Sequence, residues 1–194
     1  MLKKMMLLAG LALSAVAFAA PASASAQGTL FDEGTPIPAG NHATLETTGV
    51  IGFDVPELAS SFGCNSHPKV TLVSGHPSTG TVTAFNITTS ECAGTGLLEG
   101  CELANDTTNT PTVDVSATVL TITNIKINNV FKEGCIVPAS QWTFPAVVAT
   151  PNNTKAISSV KVSGNGVDEV TGLLIEATGT LNIAGGAAGT YGVG

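Results

Sequence analysis

Apolar residues recur at every second position along much of this chain, in runs cut by Gly, Pro, Asn and Ser. That period is the mark of strands with one buried and one wet face. It is clearest late in the chain. There Leu173, Ile175, Ala177, Leu181 and Ile183 share one parity, while Leu174, Glu176, Thr178, Thr180 and Asn182 share the other. Lys69 to Val73 alternates as well, and Ser74 to Gly80 supplies turn residues. Thr81 to Ser90 changes parity between Val82/Ala84 and Phe85/Ile87, which predicts a bulge near Ala84. Thr112 to Thr123 changes parity too, which predicts a bulge near Val119 or a strand passing from one sheet to another. Pro145 interrupts the apolar run Trp142 to Ala149, so that segment reads as an edge strand or a bulged one. Pro151-Asn152-Asn153 marks a turn, and Lys155 to Ser163 reads as a strand closed by Gly164-Asn165-Gly166. Val55 to Phe62 has room for one helical turn, and no window after residue 26 holds a 3.6-residue period at helical length. Together these signals predict an all-β fold, an antiparallel β-sandwich with a β-barrel as the alternative.

The first residues have a different character. Lys3 and Lys4 precede an uncharged apolar run from Met5 to Ala20, and Pro21 to Ala26 follows with small residues in an A-x-A pattern. This is the layout of a secretory signal peptide, here residues 1–26, with cleavage after Ala26. The run is short for a membrane span, and no later run reaches spanning length. The expected organisation is then an irregular lead-in over 27–40, one domain over 41–184 and a weakly ordered Gly-rich tail over 185–194. Only Tyr191 offers an anchor for that tail.

Composition narrows the function classes. Without the leader, five lysines face fourteen acids, a formal charge of −9, and the chain contains no Arg. Phosphate and nucleic-acid sites depend on clustered cations, above all bidentate Arg, so neither partner is expected. Charged residues make up 11% of the chain, against 26 Thr and 22 Gly. Thr is β-branched and polar, which suits a strand face that meets water.

Four cysteines remain after the leader: Cys64, Cys92, Cys101 and Cys135. In an exported chain they read as two disulfides that brace the domain. Their spacings of 28, 9 and 34 residues contain no C-x2-C pair, so no zinc site is expected. Cys92–Cys101 with Cys64–Cys135 is the preferred pairing, and Cys64–Cys92 with Cys101–Cys135 is the alternative.

No side-chain constellation signals catalysis. His42 lies in a strand-like run, and His67 and His76 each precede a Pro beside turns. No G-x-S-x-G motif marks a nucleophile elbow. The acid groups Asp32-Glu33, Asp168-Glu169 and Glu91/Glu99/Glu102 read as solvated loop residues. Asn105 to Asn109 offers oxygens to Ca²⁺ but lacks the D-x-D-x-D-G loop. Asn86, Asn105 and Asn152 open N-x-T triplets, which a Thr-rich chain produces by chance. Trp142 and Tyr191 are too few for an aromatic binding platform, and Trp142 reads as a core residue.

One layout is similar to a known group. Gly63-Cys64, Thr79-Gly80-Thr81-Val82-Thr83, Cys92, Gly100-Cys101 and a late Cys135 follow a signal peptide. The order resembles small secreted bacterial proteins of the "protein activator of alkane oxidation" type and similar actinobacterial exports. It departs from them in lacking a Leu-Pro-Trp motif after the Cys pair. The resemblance implies a non-enzymatic extracellular or cell-surface role and assigns no site residues. The expected function is thus a secreted, non-enzymatic envelope or extracellular β-protein with a structural, adhesive or surface role. It would need no cofactor and would act through self-association or a cell-surface partner. A secreted module for a small ligand, ion or protein is the alternative, and a secreted hydrolase is the least favoured.

Overall fold

The computed structural model describes residues 28–75, 78–105, 109–130, 139–184 and 188–194. They form twelve strands in chain order: β1 (Leu30–Asp32), β2 (Thr35–Pro36), β3 (His42–Val55), β4 (Ser60–Val73), β5 (Thr79–Gly94), β6 (Glu102–Asn105), β7 (Thr112–Val115), β8 (Leu120–Val130), β9 (Ser140–Pro151), β10 (Ser159–Asp168), β11 (Leu174–Ile183) and β12 (Tyr191–Val193). Two single 3-10 turns, Pro56–Leu58 and Gly96–Leu98, are the only helical pieces among the described residues. The predicted all-β antiparallel fold is the one observed.

Nine strands form one sheet in the order β6-β8-β7-β5-β4-β3-β11-β10-β9, and β8 also pairs with β9. The sheet therefore folds back on itself. Rings on β3 and β4 meet rings on β9: Phe53 lies 6.0 Å from both Trp142 and Phe144, and Phe62 lies 5.7 Å from Trp142. The β5–β7 seam is only three residue pairs long. The architecture is accordingly a sandwich with joined edges rather than a regular barrel.

Alternation builds the core as expected. β3 reads exposed-buried along most of its length, with Ala43, Leu45, Ile51, Phe53 and Val55 inward. β11 buries Ile175, Ala177, Leu181 and Ile183. Outward positions carry Thr, and cross-strand pairs such as Thr112–Thr123 (2.8 Å between hydroxyls) and Thr44–Thr71 (3.5 Å) line the wet faces.

The bulge near Ala84 is present. Lys69 faces Ala84 while Val70 faces Val82, which leaves Thr83 as the extra residue. Pro145 also sits at a bulge against β10, where Gly166 alone faces Phe144 and Pro145, while the register with β8 runs past it unbroken. Opposite it, Asn124 takes a φ of 60°. β9 is paired on both sides, so of the two readings for that segment the bulged strand is correct.

Four local expectations differ from the structure. The parity change in Thr112 to Thr123 is a chain reversal, not a bulge. Val115 pairs with Leu120, and the Ser116 hydroxyl accepts from the Val119 N–H at 3.1 Å. Gly164-Asn165-Gly166 does not end a strand but lies inside β10. A Cβ on Gly166 would come within 2.7 Å of the Phe144 ring, and one on Gly164 within 2.7 Å of Val147 Cγ2. These glycines let β10 approach β9. The described parts of the lead-in and the tail contain strands. β12, β1 and β2 form a second sheet, with Leu30 opposite Val193 and Asp32 opposite Tyr191. This sheet caps the sandwich end marked by His42, Val115 and Asn152, through bonds such as Gly28 N–H to Val115 O (3.3 Å) and Val193 N–H to Thr154 O (2.6 Å).

The preferred disulfide pairing is also corrected. Cys64 bonds Cys92, its directly opposite partner across the β4–β5 ladder, with Cα atoms 4.1 Å apart. Adjacent-strand register brings these two together whatever their distance in sequence. Cys101 is disulfide-bonded too, and no free cysteine occurs among the described residues. Cys135 lies outside them.

Candidate functional site

Among the described residues, Asp168 holds the densest polar constellation. It ends β10 on the inward row, after Val160 and Val162, and is 2% exposed. Its carboxylate accepts from the Trp142 indole N–H (3.0 Å), the Val170 N–H (3.0 Å) and the Thr171 N–H (2.7 Å), and from the Ser140 hydroxyl. Burial pushes the carboxyl up, but the bonds from Ser140, Thr171 and Val170 outweigh it, so the group titrates below its ordinary value. All these donors belong to the fold itself. Asp168 pins the β10–β11 connection to β9 and supplies the buried indole with its acceptor.

The reading of Asp168 as a solvated loop acid is therefore overturned. Its even-numbered parity with Val160 and Val162 was the available signal. Glu169 is exposed and accepts from the Thr143 hydroxyl. Trp142, 1% exposed, is a core residue as expected.

A second concavity lies where the small sheet meets β3. Asp32, Glu33, Thr35 to Pro38, Asn41, His42 and Tyr191 line a groove of about 440 Å³. The Glu33-Gly34 turn, with φ of 47° and 78°, sets its rim. It gathers two acids, a histidine and a phenol, yet no three His, Cys, Asp or Glu converge as metal ligands anywhere among the described residues. Sequence reading treated these residues separately, because the β1–β12 pairing that unites them joins the two chain ends.

The remaining candidates stay apart. His67 is exposed on β4 opposite Asn86. His76 and Asp106 to Thr108 lie outside the described residues, as do the side chains of Glu91 and Glu102. Glu99 is exposed beside the second 3-10 turn. Asn109 Oδ1 is buried with no hydrogen-bond partner. No described helix is long and apolar enough to cross a membrane.

The third feature is internal. Seven strands line an apolar hollow of about 60 Å³, with Phe53, Phe144, Thr47 and aliphatic side chains among the described residues around it. Compared with known proteins, the chain matches no family model, no curated protein and no solved structure.

Proposed function

We propose that the protein is an exported, non-enzymatic β-scaffold of the envelope or extracellular space, with a structural, adhesive or surface role. The observation that carries this reading is the Cys64–Cys92 bridge between adjacent strands, in a chain where Cys101 is bonded as well. Persistent disulfides belong to oxidising compartments. The lysine-initiated apolar leader and the Thr-lined outer faces support the same reading. So does the use of Asp168, whose lone pairs are spent on bracing the fold.

Expression of the full chain with its own leader in a bacterial host tests the proposal. Intact-mass analysis of the exported fraction should find a chain beginning at Gln27 with all thiols oxidised. A chain retained in the cytoplasm with its leader and titratable thiols would overturn it. Light scattering at high concentration then tests self-association, and a strict monomer removes that part. The second reading, a binding module, is favoured by the unpaired buried oxygen of Asn109, the last residue of the oxygen-rich Asn105 to Asn109 stretch. A rise in melting temperature with Ca²⁺ would move the balance to it.

A further inference from the structure

We infer that the sandwich interior contains a binding site for an apolar guest of gas size, a molecule with no hydrogen-bonding group. The hollow of about 60 Å³ is walled by side chains such as Leu45, Val113, Ile125, Val160, Ala177 and Leu181. A buried water needs two to four polar partners. Among the described lining residues the one hydroxyl, that of Thr47, already donates to the Pro68 carbonyl at 3.0 Å. Water therefore gains little by entering, and the hollow is dry.

Size sets the guest class. The space of about 60 Å³ is well below the ~150 Å³ that admits benzene. A single large atom or a molecule of two to three heavy atoms fits without moving the walls. Such a guest restores dispersion contacts that the lining atoms lack. Two small residues leave the space: Ala177, opposite Phe53 in the β3–β11 ladder, and Ala149, opposite Leu120 and Val162. The walls cannot close over the gap because the ladders of β3, β8, β9, β10 and β11 fix their backbones. The inference is independent of the export proposal, since the site would bind its guest in any compartment.

Xenon, applied under pressure to methyl-labelled protein, is the probe. Methyl shifts of Ile125, Val160 and Leu181 should saturate with xenon, while exposed Val50 and Val170 show only weak linear drift. Methanol, of similar size but needing a polar partner, should not reproduce the effect. Ala177→Val fills the space and should abolish the saturable shifts; Ala149→Val serves the same purpose if the first variant does not fold. Linear shifts equal to those of Val50, methanol matching xenon, or an unchanged response in a folded filled variant would each overturn the inference.

Discussion

Toward the Val55 end of β3 the interior is packed with interleaved rings; from Phe53 and Phe144 toward the His42 end it turns aliphatic and holds the hollow. Phe53, Phe62, Trp142 and Phe144 interleave at the first end with tilted rings, and Asp168 satisfies the one indole N–H. Leu45, Val113, Leu120 and Ile183 face one another farther along, around space that they do not fill. The same strands run through both regions, so backbone geometry does not set the difference. Side-chain volume does: the rings of Phe62 and Trp142 reach across a sheet spacing of ~10 Å, whereas beside Phe53 and Phe144 the small Ala177 and Ala149 fall short. The full end is also the end with a buried charge, and the hollow region is covered by a separate sheet of chain termini.

Truncation should expose this contrast most strongly. Trp142→Ala removes a filled centre and strands the Asp168 carboxylate's partner set. It should cost ~3–5 kcal/mol in urea unfolding, against nearer ~2 kcal/mol for Leu45→Ala, whose surroundings are already partly empty. Equal losses would erase the distinction between the two regions. Replacing Cys64 and Cys92 together by Ser should cost ~3 kcal/mol, the range for closing a loop of this length, with little change in the strand signature.

Much of this architecture was legible in the sequence, and the failures have physical causes. The β11 alternation, the Thr83 bulge and the Pro145 irregularity follow from period-two side-chain direction, a rule local to each strand. Gly164 and Gly166 were misread because glycine signals a turn unless one knows that Phe144 and Val147 press against that backbone. The β1–β12 pairing was invisible because it joins short strands from opposite chain ends. Three residues in each carry too little alternation to register. The disulfide partner of Cys64 depends on which strand lies beside β4, a tertiary fact that Cys spacing does not encode. Asp168 was read as a loop acid because the same Gly164-Asn165-Gly166 signal ended the strand too early; carried through those glycines, the parity of Val160 and Val162 places it inside.

Acid titration sharpens the account of the full end. The folded-state pKa of Asp168 is depressed, so between its folded and unfolded values the unfolded chain binds more protons. Its stabilising contribution is thus complete above its ordinary value of 3.8 and is lost as pH falls through the lower folded value. Asp168→Asn should cost ~2 kcal/mol at neutral pH through weakened acceptance from buried donors. It should also flatten the acid limb of the stability profile. An unaltered acid limb would show that Asp168 is not the bracing group. The smallest effect belongs to the surface. The Glu46–Lys69 pair at 2.7 Å has side chains 60% and 45% exposed, so Glu46→Gln should change stability by about 0.5 kcal/mol or less, and less still in high salt.

Hydrogen exchange at the Trp142 indole probes the closed, carboxylate-anchored end of the sandwich directly. If Asp168 and the surrounding rings hold that proton as described, it exchanges only when the whole domain unfolds, as slowly as the β3 and β9 core amides and far more slowly than the β1 and β12 amides. An indole proton that exchanges as readily as those terminal strands would contradict the account.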